Sequence, residues 1–307
     1  MPPKDQRRTN CFHAQVVSCH GRHHFVRDDQ GNLYEAHRRG KKADVVVGDE
    51  VLCSAAVDNT VAIESVAKRF SLLFRQDEWR TKTLVDNIDT LVIVYASHPR
   101  FNPWFIWKAL LASHVAGVHP IVIRNKTDLT EGSSEAENFL TSLSTLGYET
   151  HAISAEIASE KTIEELDGIF NGRRSLLVGQ SGMGKSTILN LLVKDANAKT
   201  QEYSQALNLG RQTTTVTTLY DLDRAQGFVI DSPGFQEFGL AHLTLNDVIG
   251  AMPDIASHTG GCRFANCKHL KEPGCSVKEA LKEGAITQER YDFYCAIATQ
   301  LEKSNTW

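Results

Sequence analysis

Residues 179–187, GQSGMGKST, have the spacing of a phosphate-binding loop, GxxxxGK[ST], and lie between the apolar runs SLLVG and ILNLLV. Glycines in such a loop let successive backbone N–H groups point at phosphate oxygens, and the helix that follows adds its positive end. A strand before the loop and a helix after it are the context that the motif requires. We therefore predict that the phosphates are bound by Gly179, Gln180, Ser181, Gly182, Met183, Gly184, Lys185, Ser186 and Thr187.

A second motif, NKTD at residues 125–128, indicates which base the nucleotide carries. The carboxylate of Asp128 can accept two hydrogen bonds from guanine, at N1–H and the 2-amino group, and adenine lacks this pair of donors. The motif follows the apolar segment IVIR, so it would lie at the carboxyl end of a strand. We predict a guanine-binding group that consists of Asn125, Lys126, Thr127, Asp128, Ser154 and Ala155.

Two further segments would complete a magnesium site for hydrolysis. Asp231-Ser232-Pro233-Gly234 fits a DxxG element, in which the aspartate holds Mg²⁺ through water and the Gly234 amide senses the γ-phosphate. A polar segment, RQTTT at 211–215, precedes it, and either Thr214 or Thr215 should complete the magnesium shell. We predict Ser186, Thr214 and Asp231 as Mg²⁺ ligands, and Lys185, Thr214, Thr215 and Gly234 as residues that act in hydrolysis.

The order of these motifs along the chain is unusual. The guanine-reading segments come first, and the phosphate loop, the threonine segment and DxxG follow them. This order predicts a circularly permuted GTPase domain. Since the DxxG loop then precedes the exit from the domain, the nucleotide can act directly on the chain that follows. A further alternative, a P-loop metabolic kinase, is disfavoured by NKTD and by the lack of any evident acceptor pocket in the sequence.

A cluster of cysteines and one histidine lies beyond this domain, in the pattern Cys262-x4-Cys267-x-His269-x5-Cys275. Three thiolates and an imidazole suit a closed tetrahedral Zn²⁺ site, with no position left for a reacting water. A disulfide would leave one of the three cysteines unpaired, and the seven cysteines of the chain are an odd number. We predict one structural zinc ion.

The elements that must position these residues fall into three regions. Residues 1–68 show short strand-like segments separated by turn signals, which favours a five-stranded barrel of the oligonucleotide-binding (OB) type, with an SH3-like barrel as the alternative. Residues 69–245 alternate apolar strands and amphipathic helices, as in a doubly wound parallel sheet whose ligands bind at the carboxyl ends of the strands. Residues 246–307 contain the zinc cluster and a polar helical tail.

Charge distribution suggests what the barrel contacts. Residues 1–42 contain nine Lys and Arg against four Asp and Glu, although the whole chain of 307 residues has a net charge of −4. A basic region on an acidic protein is typical of a domain that contacts phosphate, and a solvated surface is the alternative. The start of the chain is charged and lacks the apolar segment of a secretory signal, so we expect a cytoplasmic protein with no membrane partner.

The permuted order, together with GQSGMGKST, DSPGFQEFGL and CRFANCKHLKEPGCSV, resembles the RsgA family of small-ribosomal-subunit biogenesis GTPases, the YjeQ type, over roughly residues 69–295. The resemblance implies a bacterial GTPase that acts late in assembly of the 30S subunit and binds 16S rRNA near the decoding region. It also implies that the subunit stimulates hydrolysis, and that GTP with Mg²⁺ and one Zn²⁺ are bound. We expect a monomer. The alternative function is a GTP-gated RNA-binding module whose hydrolysis is incidental.

Two positions concern the hydrolytic water. Many GTPases place a glutamine directly after DxxG to orient this water, whereas this chain has Phe235, as is usual in the family. Family members often have a histidine before the three threonines, and this chain has Gln212. A glutamine can position water through its amide but cannot act as a general base, so Gln212 is the candidate for this role.

Overall fold

A computed structural model describes residues 11–20, 23–38, 45–76, 81–194, 196, 216–233, 235 and 237–304. Within these ranges, none of the helices combines the length and the apolar character that crossing a bilayer would need.

The first region is a closed β-barrel. Its five strands are β1 (Phe12–His20), β2 (His23–Asp28), β3 (Leu33–Arg38), β4 (Glu50–Cys53) and β5 (Thr60–Val66). They follow the order β1-β2-β3-β5-β4, and pairing of β4 with β1 closes the barrel. Valines and an isoleucine that alternate along the strands fill its interior, among them Val16, Val26, Val51 and Ile63. The predicted five-stranded barrel of the OB type is confirmed.

A hairpin that the sequence analysis did not predict follows the barrel. It consists of β6 (Leu72–Gln76) and β7 (Thr81–Asp86). Its first strand is hydrogen-bonded to the segment after the DxxG motif, because Gln76 N donates to Glu237 O at 3.0 Å and Gly239 N donates to Phe74 O at 2.9 Å. The hairpin therefore lies against the chain that leaves the nucleotide domain.

A buried charge cluster joins the barrel to this hairpin. Arg69 donates from Nε and Nη2 to the two carboxylate oxygens of Asp49, each at 2.8 Å, and also pairs with Asp86. The carboxyl groups of Asp49 and Asp86 are both fully buried. The backbones approach closely here: a Cβ on Gly48, whose φ is +99°, would be 2.3 Å from Asp86 O. Only glycine therefore fits at position 48, because any residue with a Cβ would clash with Asp86 O.

The nucleotide domain is built on a parallel sheet. Its strands are β8 (Thr90–Ala96), β9 (His119–Asn125), β10 (Glu149–Ala152), β11 (Arg173–Val178) and β13 (Gly227–Asp231), with the antiparallel edge strand β12 (Thr217–Asp221). The order is β10-β9-β8-β11-β13-β12, so the chain reverses its direction of winding between β8 and β11. Every residue of β8 is buried, as expected for a central strand covered on both faces. Ligands bind at such a reversal point.

Helices connect and cover the strands. They are α1 (Pro103–Ala116), α2 (Ser133–Thr145), α3 (Glu160–Phe170) and α4 (Lys185–Leu192). Asn102 caps α1 by accepting a hydrogen bond from Trp104 N, and Pro103 at the first helical position has the φ angle that a helix needs. The predicted alternation of strands and helices in this region is confirmed.

The barrel and the nucleotide sheet are hydrogen-bonded to each other. Strand β1 pairs antiparallel with β12, with Ser18 opposite Thr218 and Cys19 opposite Thr217. The described residues therefore form one continuous sheet of eleven strands, which runs from β10 through the nucleotide domain into the barrel. Strand β1 of the barrel thus covers β12, the edge strand of the nucleotide domain.

The C-terminal region is helical. It contains α5 (Leu245–Gly250), α6 (Pro253–Ala256), α7 (Ser276–Lys282) and α8 (Gln288–Ser304). Helix α8 packs on α1 through Phe293, whose ring centroid is 5.5 Å from that of Trp104 and 5.4 Å from that of Trp107. The core of the sheet continues into these helices without interruption. The domain boundaries at 68/69 and 245/246 remain predictions.

Candidate functional site

The phosphate loop follows β11 and ends where α4 begins, at Lys185. Gly184 is the residue before the helix and has a φ of +92°. A Cβ there would be 2.2 Å from Asn125 Nδ2, and a Cβ on Gly179 would be 2.3 Å from Val94 O. Both glycines are therefore required by close contacts, one with the NKTD segment and one with β8.

The side chain of Lys185 lies inside the loop. Its Nζ donates to Gly179 O at 2.6 Å and to Gln180 O at 3.0 Å. Burial lowers the pKa of this ammonium group, and the nearby carboxylate of Asp231 opposes the shift. A phosphate group would offer the ammonium a charged acceptor, which makes a stronger hydrogen bond than a carbonyl.

Asp231 ends β13 beside the loop. Burial raises the pKa of its carboxyl group, and Lys185 opposes that shift. Within the described part of the chain, no hydrogen-bond donor reaches its buried Oδ1. A buried carboxylate oxygen without a partner is costly unless a cation or a water molecule satisfies it. Together with the hydroxyl of Ser186 this oxygen suits Mg²⁺, which prefers oxygen ligands.

Four of the predicted residues of hydrolysis, Gln212, Thr214, Thr215 and Gly234, lie outside the described residues. The chain that follows the threonine segment is described, and it contacts the DxxG segment directly. Thr217 Oγ1 and Ser232 Oγ are 3.0 Å apart, within hydrogen-bonding distance. The strand that follows the threonine segment is therefore linked to the DxxG segment, a contact for which the sequence pattern holds no signal.

The side chain of Asn125 connects the three nucleotide motifs. Its amide nitrogen donates to Met183 O in the phosphate loop at 3.0 Å. Its amide oxygen accepts a hydrogen bond from Ala155 N at 3.0 Å. The side chain is buried, so both bonds are shielded from water. One residue of NKTD thereby fixes the phosphate loop and the Ser154-Ala155 loop relative to each other.

The remaining residues of NKTD also contact the phosphate loop or the segment around Ser154. Lys126 has a φ of +60° and donates from Nζ to Gly182 O at 2.6 Å and to His98 O at 3.1 Å. Thr127 N donates to Ile153 O at 3.1 Å, which holds the turn against the end of β10. Ser154 Oγ donates to Asp128 Oδ1, and Asp128 itself is exposed. The carboxylate of Asp128 is thus oriented and accessible.

A cavity of about 1380 Å³ opens over the phosphate loop. Asp231, Ser232 and Lys126 line it together with the loop. Residues from α1, the segment after DxxG and α8 also line it: Trp104, Phe235, Phe238 and Glu289. Of these, the sequence had indicated only Phe235. The lining does not include Asp128, which contacts Ser154 instead.

Phe235, the residue directly after the DxxG motif, belongs to an aromatic cluster. Its ring centroid is 4.6 Å from that of Phe238 and 6.2 Å from that of Phe105. A phenyl ring has no hydrogen-bonding group, so this side chain cannot orient a water molecule. The structure gives it a packing role instead, against the segment that leads to the C-terminal helices.

The four predicted zinc ligands come together. The ligand atoms of Cys262, Cys267, His269 and Cys275 lie within 4.8 Å of one another. His269 Nδ1 is 3.4 Å from both Cys262 Sγ and Cys275 Sγ. Sulfur and nitrogen bound tetrahedrally to zinc at about 2.3 and 2.0–2.1 Å would be roughly 3.6 Å apart. The residues therefore fit a tetrahedral ion without rearrangement of the backbone.

Helix α8 holds the segment that carries these ligands. Tyr291 Oη donates to His269 O at 2.7 Å, and Tyr294 Oη donates to Lys268 O at 2.8 Å. Ser276 Oγ lies 3.2 Å from Cys262 Sγ. Such contacts around the ligands fix their orientation. Because α8 also packs on α1, the metal centre is connected to the nucleotide domain through one helix.

Comparisons with known proteins agree with this geometry. A family model described as RsgA GTPase matches residues 66–241. Curated relatives named small ribosomal subunit biogenesis GTPase RsgA include that of Paraburkholderia xenovorans, 42% identical over 92% of this chain and 91% of the relative. The protein of that name from Bordetella pertussis is 44% identical over 94% of this chain and 96% of its own.

Solved structures show the same fold. YjeQ from Thermotoga maritima matches with a TM-score of 0.70 and 26% identity, covering 95% of this chain and 98% of its own. YloQ, described as a circularly permuted GTPase, matches with a TM-score of 0.68 and 21% identity, covering 98% of each chain.

Proposed function

The chain belongs to the RsgA GTPase family, and on that premise we propose that it hydrolyses GTP in the cavity above β8 and β11 while it matures the small ribosomal subunit. The observation that carries this proposal is the pair of hydrogen bonds made by Asn125. They bring three motifs that are scattered along the chain into the arrangement that a bound guanine nucleotide needs.

We propose that the phosphates lie over the loop and that Lys185 neutralises charge on the β- and γ-phosphates. The backbone N–H groups of the loop and the N-terminus of α4 donate to phosphate oxygens. Ser186 and Asp231, with Thr214 or Thr215, would hold Mg²⁺, which draws charge away from the transferring phosphoryl group. The position of Gly234 after β13 supports its assignment to sensing the γ-phosphate.

Because Phe235 packs among aromatic rings, the attacking water must be oriented by another residue. Gln212 is our candidate, and a group supplied by the ribosomal subunit is the alternative. Either choice is consistent with the expected stimulation by the subunit, since a water-orienting group that the subunit positions or supplies would act only in the complex.

Guanine selection rests on Asp128 in this proposal. Ser154 fixes one of its carboxylate oxygens, and Lys126 extends across the loop where the base would lie. The carboxylate then accepts from guanine N1–H and the 2-amino group, while the Ala155 loop closes over the base. Adenine would leave these acceptors unmatched, which is heavily penalised in a closed site.

We propose that the barrel binds 16S rRNA and that the metal centre is a structural zinc site that supports a second contact with the subunit. The excess of basic residues in positions 1–42 and the OB topology support the first assignment. Three thiols with one imidazole support the second. We propose that it acts in the cytoplasm, where bacterial ribosomal subunits are assembled, and that it acts as a monomer.

The decisive experiment is the rate of GTP hydrolysis with added 30S, 50S or 70S particles. We expect the 30S subunit to raise kcat strongly and the 50S subunit to have no effect. If hydrolysis stays at its basal rate with every particle while 30S binding still depends on the nucleotide, the alternative is correct. The protein would then be a GTP-gated RNA-binding module whose hydrolysis is incidental.

A further inference from the structure

A second group of metal-ligating side chains lies on the barrel: His23 of β2 with Glu35 and His37 of β3. Among the described residues, this group and the Cys/His centre are the two in which at least three ligand atoms lie within 4.8 Å of one another. We propose that His23, Glu35 and His37 form a second divalent-metal site, which binds Zn²⁺ or a cation of similar softness at the barrel surface. This proposal does not depend on the proposed function.

Strand register places the three side chains on one face. Strands β2 and β3 are antiparallel, with His24 opposite Ala36. Because side chains alternate along a strand, Glu35 and His37 point the same way, and His23, one position beyond the His24–Ala36 pair, joins them. His24 and Ala36 are buried on the opposite side. The backbone pairing itself therefore presents the three ligands outward and together.

The distances suit a metal ion. Glu35 Oε1 is 3.2 Å from His23 Nδ1 and 3.4 Å from His37 Nε2. Two ligands bound tetrahedrally at about 2.0–2.1 Å are roughly 3.3–3.4 Å apart. The two imidazole rings meet edge to face with centroids 5.2 Å apart, so their nitrogens can converge through side-chain rotation alone. The strands need not move.

The chemistry of the donors selects the class of cation. Two imidazoles and one carboxylate are a donor set that zinc uses in proteins, whereas Mg²⁺ prefers oxygen ligands alone. The side chains of His23 and His37 are 52% and 46% exposed, so coordination positions would remain open to solvent. A bound divalent ion would reverse the net charge of the group and could accept a phosphate oxygen or water.

Direct contact with RNA is the competing interpretation, since the β2–β3 face is where OB folds bind oligonucleotides. Glu35 argues against it, because its carboxylate lies between the two imidazoles, where an incoming phosphate would be repelled. The same carboxylate attracts a cation. The position of Glu35 therefore favours metal binding.

The test is a calorimetric titration of the full-length protein with Zn²⁺, after the Cys/His centre has been loaded. We expect wild type to bind about one further equivalent, saturably, and Mg²⁺ in excess not to compete. Glu35→Gln and His37→Gln should bind it at least about 100-fold more weakly, since losing even a hydrogen-bond partner of a ligand costs ten- to a hundredfold. His13→Gln is the matched control, because His13 is an exposed histidine of the same barrel, and it should behave as wild type.

A second readout is the broadening of histidine ring NMR signals by Co²⁺, which should affect His23 and His37 first. Circular dichroism checks that each variant is folded. Equal Zn²⁺ uptake by wild type and Glu35→Gln would overturn the proposal, as would displacement of Zn²⁺ by Mg²⁺. If His37→Gln loses affinity for an RNA oligonucleotide while Zn²⁺ uptake is unchanged, the face is an RNA contact and the metal site is refuted.

Discussion

Arg27 on the barrel and Asp221 on β12 form a two-point ion pair across 194 residues of sequence, and one of its hydrogen bonds, from Nη2 to Oδ1, is 2.9 Å long. Strand β12 begins two residues after the threonine segment, and it also pairs with β1. The barrel is therefore attached to the strand that follows the threonine segment, which is predicted to complete the magnesium shell.

We predict that the 30S subunit stimulates GTP hydrolysis through this contact between the barrel and β12. Arg27→Gln should leave basal hydrolysis unchanged and reduce the 30S-stimulated kcat severalfold. The unfolding free energy should fall by less than about 1 kcal/mol, because Asp221 is 54% exposed and such pairs are weak. Arg224→Gln is the control, since Arg224 makes a similar pair with Asp167 away from the barrel. If the two variants lose stimulation equally, the barrel does not act through β12.

Base selection should change with Asp128→Asn. Replacing the carboxylate removes a charged acceptor for two guanine donors, and such hydrogen bonds are each worth about 1.5–3 kcal/mol. We expect GTP affinity to fall at least about 10- to 100-fold and preference to move toward xanthosine nucleotides, whose C2 carbonyl matches an amide donor. Competition binding with both nucleotides measures this. Glu131→Gln, an exposed change nearby, should keep the preference for GTP, and unchanged preference in Asp128→Asn would refute the assignment.

Removing a ligand from the Cys/His centre should release metal and leave nucleotide binding intact. Cys267→Ala or His269→Ala should lose about one tightly held zinc equivalent by elemental analysis. The segment held by Tyr291 and Tyr294 should then become more sensitive to protease, because its fold depends on the ion. Cys11→Ala, which changes a partly exposed thiol just before β1 of the barrel, serves as the control. Wild-type protein prepared without chelator that contains no zinc would disprove the centre.

The junction between the barrel and the hairpin should make stability depend on pH. Burial, together with the adjacent Asp49, raises the pKa of Asp86 to about 9. The folded state therefore holds a proton that the unfolded chain releases near pH 4, so this group makes stability fall as pH rises from about 4 to about 9. Asp86→Asn should flatten this dependence, as measured by denaturant unfolding across that range.

Asp49 should have the opposite effect on how stability depends on pH. Burial alone would raise its pKa, but the hydrogen bonds from Arg69, Asp86 and the Val46 backbone, together with the charge of Arg69, outweigh that effect and hold the pKa below its usual value. Its contribution is present above about pH 4 and is lost as pH falls through the lowered pKa. Asp49→Asn should destabilise the protein at neutral pH, because it leaves the half-buried Arg69 with a weaker partner, whereas exposed Asp29→Asn should change little. Parallel pH profiles for Asp86→Asn and wild type would contradict this account of the junction.

Coupling between nucleotide and subunit should be reciprocal. We expect the protein with a non-hydrolysable GTP analogue to sediment with 30S particles more than the GDP form does, and the subunit to favour GTP over GDP by the same factor. Lys185→Ala should abolish the difference by removing phosphate binding, and deletion of residues 1–68 should weaken 30S binding in both states. Salt must be held constant, since phosphate contacts depend on it. Equal sedimentation of the two forms would rule out the switch.

Much of the fold could be predicted because its signals are local. Strand β8, which is buried along its whole length, is a run of apolar residues in the sequence. Lys185 follows the glycine spacing of a phosphate-binding loop, which is specific to that structure. The zinc ligands likewise lie within fourteen residues of one another. The pairing of β1 with β12 and the Arg69 cluster could not be predicted, because each joins residues that the sequence keeps far apart.

The group of His23, Glu35 and His37 on the barrel could be predicted only in part from the sequence. Glu35 and His37 are two positions apart on a strand, a spacing that places both side chains on one face. Whether His23 joins them depends on the register of β2 against β3, which the sequence alone does not determine. The hairpin β6–β7 could not be predicted either, because its strands are short and mix polar with apolar residues.

The bonds of Asn125 also bear on how such a chain could have arisen. They connect the phosphate loop and the base-reading loops through a side chain, without any peptide connection between neighbouring motifs. The order in which a gene encodes these segments is therefore free to change, provided that the strands still stack in the same sequence across the sheet. Rearrangement of the coding sequence can relocate the ends of the protein and leave its catalytic apparatus intact, which opens new positions at which an ancestral enzyme could acquire a barrel at one end and a metal-stabilised helical segment at the other.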